Sequence, residues 1–386
     1  MQLIRTNKYV LHPNAKQKAL LHEMFSTSRF VFNNVLGKIQ DSYFGTYEIK
    51  NGKNKGKVTP LIPNRTGLVG FSTKLKEEFK FVSKLPNDFI QASLTNLYTA
   101  TKGFYSGGGF PKFKSRKRDK SKINMYAGSR VKIEDNYIYL NRSKDSSYSK
   151  EDHKIKFKKH KTNHQIGKIT GFTIEKDNLG IYTIAITHKI YVFNTRTKTN
   201  KQVGIDLGLK ELVICGDGMM IPNHNLTKLN ARKLKLEQRK LSKKAKGSKN
   251  RDKARLKVAK IHRKISNSRK DYNHKVSSTL VKLYDFIGLE SLQVKNMVKN
   301  SKLSKAISNV AWFQLTNFIS YKADENQVSL KKINKWFPSS KTCSNCGSVK
   351  EKLSLSERTF HCSECGFELD RDINASINIL KQARME

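Results

Sequence analysis

Four cysteines and three carboxylates carry the chemistry that can be read from this 386-residue chain. Cys343-Ser344-Asn345-Cys346 and Cys362-Ser363-Glu364-Cys365 form a C-x2-C-x15-C-x2-C pattern. Two thiolates separated by two residues grip one tetrahedral ion from a tight turn, and a second such turn closes the shell. Glycine follows each second cysteine (Gly347 and Gly366), and it tolerates the positive φ that such a knuckle often needs. Four protein ligands leave no open position, so the expected ion is one structural Zn2+. The plainer readings are four unligated thiols or a redox dithiol relay. Two matched pairs flanking a short loop make a better cage than a relay. The remaining cysteine, Cys215, lies alone in an apolar run and reads as core filler.

The carboxylates are Asp206, Glu290 and Asp372. Asp206 ends the apolar strand pattern Val203-Gly204-Ile205 and Glu290 ends Phe286-Ile287-Gly288-Leu289. Asp372 lies in Asp370-Arg371-Asp372-Ile373, just before an expected helix. A carboxylate at the edge of a core is costly unless a cation or donor satisfies it. Three that converge would hold two Mg2+ ions roughly 4 Å apart, which suits in-line displacement at a phosphodiester. Hard Mg2+ prefers such oxygen ligands to His or Cys. By residue type alone each acid also has a plainer use. Asp206 suits a turn near Gly208, Glu290 a solvated strand end, and Asp370 or Asp372 a helix N-cap.

Such chemistry needs a polyanionic substrate, and the charge supplies the reason to expect one. There are 76 Lys+Arg against 31 Asp+Glu, a net +45 at neutral pH. Self-repulsion on that scale implies a partner that neutralises it, and nucleic acid fits best because each paired phosphate releases counterions. A merely soluble basic protein is the bland reading. A membrane surface fits worse, since no basic amphipathic helix with a Trp/Leu insertion face is apparent. Residues 228–270 hold 19 Lys/Arg against only Glu237 and Asp252. Charge runs are usually solvated helix faces, but here basic residues ring the helix on most sides. Expected nucleic-acid contacts are Lys112, Lys114, Arg116 and Arg118 upstream, then Arg232, Lys243, Lys244, Arg251, Arg255 and Arg263. No stretch is apolar enough to span a bilayer, and the N-terminus lacks a signal-peptide core. With the paired cysteines, this predicts a cytoplasmic, reducing location.

Two kinds of domain position these groups. Residues 1–10 alternate like a strand, and His12-Pro13-Asn14 stops it and starts a helix with Leu20, Met24, Val31 and Val35 at helical spacing. Residues 51–67 read as a surface loop. Pro86-Asn87-Asp88 opens another helix, and Gly107-Gly108-Gly109 ends the helical region. Hairpins are expected around Asp135-Asn136 and around Lys176-Asp177-Asn178. Residues 111–195 are therefore a mostly β module, a small barrel that the first strand joins, with 11–110 as a helical insertion. A polar, basic linker spans 196–202. A second type of domain begins at Val203, with helices over 227–285 broken near Gly247-Ser248, a helix around Trp312–Ile319 and a strand over Val328–Ile333.

The chain resembles, over nearly its full length, the TnpB proteins of insertion-sequence transposons, relatives of the type V CRISPR nucleases. The resemblance rests on Gly204-Ile205-Asp206-Leu207-Gly208, Leu241-Ser242-Lys243-Lys244-Ala245-Lys246-Gly247-Ser248, Leu289-Glu290-Ser291-Leu292, Pro338-Ser339-Ser340-Lys341-Thr342-Cys343 and Asp370-Arg371-Asp372-Ile373-Asn374-Ala375. Arg29-Phe30-Val31-Phe32-Asn33 and Phe110-Pro111-Lys112-Phe113-Lys114 look similar to family signatures too. The pattern departs at Asn326, where such proteins often place Gly.

The resemblance implies a multidomain α/β plus β-barrel chain. Its split, wedge-like β domain (1–10 and 111–195) carries a helical recognition insert (11–110). Its RuvC, RNase H-like nuclease domain (200–340 and 368–386) carries a zinc-ribbon insert (341–367). Asp206, Glu290 and Asp372 become the metal-binding catalytic acids, with Asp372 preferred to Asp370 as the second acid of the Asp-x-Asp pair. The implied partners are a guide RNA, bound by one chain, and double-stranded target DNA with its displaced strands. Cleavage would leave a 3′-hydroxyl and a 5′-phosphate. Lys112–Lys122 and Arg232–Lys270 would hold phosphates, while 1–195 tests a short motif beside the target. Asn374 and Lys341 could support the site but read rather as structural, and Gln91 and Asn96 stand as guesses for base-reading. The competing functions are a nuclease-silent RNA-guided repressor and an RNA-free recombinase or resolvase on the same fold.

Overall fold

The computed structural model describes residues 2–41, 43–116, 119–126, 132–158, 167–191, 196–224, 226–301, 304–354 and 357–386. The chain divides into two compact units, Met1–Tyr191 and Val192–Glu386.

The first unit runs β1 (Gln2–Leu11), α1 (Ala15–Gln40), β2 (Thr46–Glu48), β3 (Val58–Pro60), α2 (Arg65–Glu78), α3 (Lys80–Ser83), α4 (Asn87–Tyr105), β4 (Ser121–Tyr126), β5 (Lys132–Glu134), β6 (Tyr137–Tyr139), β7 (Lys154–Lys158), β8 (Ile169–Lys176) and β9 (Tyr182–Tyr191). Asn14 starts α1 through a reciprocal cap: its side chain accepts from Gln17 N at 2.9 Å, and Asn14 N donates to the Gln17 side chain at 3.0 Å. Seven of these nine strands form one sheet in the order β4-β8-β9-β1-β7-β6-β5. β1 pairs antiparallel with β9 along its whole length, so the first strand does join the later β module. The edge strands β4 and β5 share no ladder among the described residues, so the expected barrel is an open half-barrel. Its buried face (Ile123, Ile155, Phe157, Phe172, Ile184) merges with α1, α2 and α4 in one apolar core.

Residues 51–67 differ from the expected loop. Val58–Pro60 pairs with Thr46–Glu48 as a hairpin, and Asn64 caps α2 by accepting from Gly67 N at 2.8 Å. Gly and Lys there mark only the hairpin's tip.

The second unit runs β10 (Gln202–Asp206), β11 (Glu211–Cys215), β12 (Met220–Pro222), α5 (Leu226–Ser242), α6 (Lys249–Leu283), β13 (Phe286–Leu289), α7 (Val294–Met297), α8 (Ser304–Val310), α9 (Trp312–Asn326), β14 (Ser329–Lys332), β15 (Thr359–His361), β16 (Glu368–Asp370) and α10 (Arg371–Met385). Five strands order as β12-β11-β10-β13-β14; the first three are an antiparallel meander, and β13 and β14 run parallel to β10. The segment expected as a free linker is fastened to this unit. Asp285 pairs with Arg196 and accepts from Thr199 N at 2.7 Å and Asn200 N at 2.6 Å. The turn after α9 puts its positive φ on Gln327, leaving Asn326 helical, with its amide donating to Lys322 O at 2.8 Å.

Candidate active site

Two glycines explain how three distant carboxylates meet. In the parallel pair, Gly204 lies opposite Gly288 and Ile205 opposite Leu289. Side chains two apart on a strand share a face. Gly204 and Asp206 therefore face one way from β10, and Gly288 and Glu290 continue the same face from β13. That face is covered by α10. A Cβ at Gly204 would collide with the Ser376 carbonyl and lie 2.5 Å from Leu380 N; one at Gly288 would lie 2.9 Å from Ala383 Cβ. The helix thus presses on bare backbone, and its first turn, carrying Asp372, reaches the strand ends where Asp206 and Glu290 stand. Ser376 locks the fit by donating to Ile214 O of β11 at 2.7 Å.

The acids feel one another strongly. Burial raises the Asp206 carboxyl well above its ordinary range, and the charges of Glu290 and Asp372 push the same way. Burial also raises Glu290, while hydrogen bonds from Asp206 and Ser339 pull it back. Ser339 Oγ donates to Glu290 Oε1 at 3.1 Å. Carboxyls coupled this tightly titrate as a unit, and without a cation burial and like charge favour the protonated form of the pair. Asp372 is flanked by Arg371 Nε at 3.4 Å and Arg358 Nη1 at 3.8 Å. It lies inside the first turn of α10 rather than before the helix. The cap is Asp370, which accepts from Asp372 N at 2.9 Å and Ile373 N at 3.1 Å.

The four cysteines converge. Their sulfurs all lie within 4.8 Å of one another, the only such group among the described residues that could hold a metal; the acid oxygens are not gathered so tightly. Each knuckle is a backbone turn: Gly347 N donates to Cys343 O and Gly366 N to Cys362 O, both at 3.0 Å. Both glycines have positive φ, 83° and 68°. Tetrahedral thiolates fit Zn2+.

What the sequence missed joins the two groups. From α10, Asn374 donates to Thr342 O and accepts from Ser344 N, both at 2.8 Å. One turn on, Asn378 donates to Ser339 O at 2.9 Å and Thr342 O at 2.6 Å. The helix bearing Asp372 is thus tied to the loop that carries both Ser339 and the first cysteine knuckle. Ser339 and Asn378 stood in or beside the Pro338–Cys343 and Asp370–Ala375 blocks, but nothing in their types assigned them a partner. Asn374 thus makes a structural tie, and Lys341 donates to Glu351 O at 2.8 Å. Cys215 is buried core, its thiol pushed up to about 12 by burial.

The expected nucleic-acid residues divide. Lys112, Arg116, Arg232, Lys243, Lys244 and Arg255 are exposed, and α5 has no buried residue among those described. Arg263 is half-buried. The Arg251 guanidinium donates from Nη1 to Leu241 O at 2.9 Å and to Lys244 O at 2.8 Å, closing the end of α5. Lys114 sits 3.5 Å from the Phe32 ring centroid, and burial brings its pKa down to about 8. Arg118 lies outside the described residues. Gln91 and Asn96 lie on α4; the Asn96 amide oxygen accepts from Tyr126 Oη at 2.8 Å and Asn124 Nδ2 at 3.3 Å, beside a polar cavity lined by Arg29, Lys114, Lys120 and Lys122.

An antiparallel meander continued by parallel strands, with acids at the ends of the central pair and on a helix packed across them, is an RNase H-like fold of the RuvC nuclease type. Over 98% of each chain it superimposes on the Cas12f1 protein of a Cas12f1–sgRNA–target DNA complex, with a TM-score of 0.57 at 13% identity. Residues 181–301 match a family described as "Probable transposase", 312–379 a "Cas12f1-like, TNB domain", and 1–45 a "Helix-turn-helix domain", although 1–45 here is one strand and one long helix. A "Putative RNA-guided DNA endonuclease" of Streptomyces pristinaespiralis is 31% identical over 98% of this chain and 89% of its own. InsQ of Escherichia coli K12, with the same descriptive name, is 25% identical over 98% of this chain and 92% of its own. The chain belongs to the TnpB family of IS605-type transposon proteins. No helix among the described residues is long and apolar enough to cross a membrane.

Proposed function

We propose that this protein is an RNA-guided DNA endonuclease, cutting target DNA at the Asp206, Glu290 and Asp372 carboxylates with divalent cations, Mg2+ in the cell. The observation that carries the reading is the pair of half-buried strand-end carboxyls held beside a third acid, an arrangement that costs free energy unless positive charge enters. Oxygen donors of this kind suit Mg2+. Two ions held there would supply an activated water and stabilise the leaving oxygen of a phosphodiester. Asp206, Glu290 and Asp372 would hold those ions, Ser339 keeps Glu290 oriented, and Arg358 and Arg371 hold Asp372 in place. The cysteine cage, with Zn2+, keeps the Ser339 loop against α10. Exposed cations on α5 and α6 bind guide RNA and the RNA–DNA duplex through phosphates, and Lys112 and Arg116 add contacts from the first unit. The full-length relatives bear the name of that activity.

The test is to purify the protein in mild salt, sequence the RNA it carries, and add linear target DNA with Mg2+. A discrete RNA with cleavage that follows its guide is the expected result. RNA without cleavage marks a guided repressor, and absence of RNA a DNA-only recombinase.

A further inference from the structure

A cleft of about 470 Å³ opens directly beside Glu290, within the range of small-ligand pockets. Its walls do not resemble the rest of this basic surface. Phe313, Thr316 and Asn317 line it from α9 at i, i+3 and i+4, one face of the helix. Phe313 is 70% exposed, an apolar ring presented to water at the mouth of a polar site. Trp312 also lines the cleft; it is 3% exposed, and its indole N–H finds no acceptor among the described residues. That nitrogen is closed to solvent, so Trp312 contributes to the wall rather than to the hydrogen-bonding rim. Lys332 and Lys335 complete the wall with positive charge.

A flat apolar ring, side-chain amide and hydroxyl groups, and lysines suited to phosphate describe one occupant. We propose that the cleft seats an unpaired base of the DNA strand being cut, one nucleotide from the phosphodiester at Asp206, Glu290 and Asp372. The base stacks on Phe313, its edge meets Asn317 and Thr316, and Lys332 and Lys335 hold the adjoining phosphate. A duplex base keeps its neighbours and its partner and cannot enter, so the cleft selects strands already opened by pairing with the guide. A peptide segment would not use the two lysines or the chain's positive charge. The inference rests on the nuclease reading and adds to it a base seat that positions the strand.

Once the cut is mapped, the protein–RNA complex is tested on targets that are intact or abasic at each nucleotide flanking it. Phe313→Ala should slow cleavage of the intact target by on the order of tenfold, the scale of one base–aromatic stack, and Phe313→Trp should restore it. At one flanking position the abasic target should cost the wild type the same factor and cost Phe313→Ala nothing further, because both remove one contact. Gel-shift binding of the target should be equal in all three. A 2-aminopurine at that position should be quenched in the Asp206→Ala complex and not in the Asp206→Ala/Phe313→Ala complex. Wild-type cleavage by Phe313→Ala, or losses that multiply at every position, would overturn the base seat while leaving the nuclease reading intact. A wild type that cuts no target overturns the nuclease reading, and the 2-aminopurine signal then decides the cleft separately: without quenching, the seat is wrong too.

Discussion

The cysteine cage and the carboxylate site are built in opposite ways. The cage is local: two short turns, closed by the Gly347 and Gly366 amides, bring four sulfurs within 4.8 Å of one another. The acid site is assembled by topology from β10, the end of β13 and the first turn of α10, with glycines 204 and 288 letting the helix approach. Its members repel, and burial with like charge raises the Asp206 carboxyl well above its ordinary range. A cation would therefore complete the cage with little rearrangement, whereas at the acids it would compete with protonation and offset the repulsion. The two are joined through Asn374, Asn378 and Ser339, so the stable site supports the costly one.

The largest effect that sharpens this contrast is removal of a carboxylate. Asp206→Ala should lower guided cleavage by at least roughly 10^3-fold, as for residues that act as one unit, with target binding kept in a gel shift. Loss of the cage comes next. Cys343→Ser, or chelation of zinc, should loosen the 338–344 loop and cut cleavage by about 10–100-fold, the range for outer partners of a metal site. Zinc content and thermal melting read the cage, and cleavage reads the acids; unchanged cleavage by the zinc-free protein would break the coupling.

Ser339→Ala isolates the link itself. Glu290 loses a donor that favours its charged form, so its pKa rises and the rising limb of the pH–rate profile should move to higher pH, with a smaller loss near pH 8 than near pH 6. A pH-independent loss would assign Ser339 to packing alone. The smallest effect concerns stability without divalent ions. Asp206 has a folded pKa raised above 3.8, so its protonated form favours the fold, and that contribution is lost as pH rises through the folded pKa. The melting temperature of the ion-free protein should therefore fall over that window by a few degrees more than that of Asp206→Asn, and Mg2+ should abolish the difference.

These two sites were also unequally legible in the sequence. Cysteine spacing alone drew the cage, because its geometry is set by residues next to one another. Asp206 and Glu290 could be picked only as strand-end carboxylates, and on type alone Asp370 and Asp372 were interchangeable as caps. The structure gives the cap to Asp370 and leaves Asp372 facing the strand ends. The first strand's return to the later β module, the break at Gly247-Ser248 and the Trp312 helix followed from periodicity and turn residues. What did not follow were long-range pairings. The 46–60 hairpin is hidden in a loop-like composition, the half-barrel's open edge depends on pairing rather than pattern, and Arg251 looks like any phosphate ligand until its carbonyl partners are seen.

The most direct test of the central claim exchanges only the guide. The protein is loaded with two RNAs that differ in the guide segment and offered both matching targets with Mg2+, with Asp206→Ala as control. Each RNA should direct cutting of its own target alone, and the variant should bind but cut neither. Cleavage that ignores the guide, or persists in Asp206→Ala, would contradict the account.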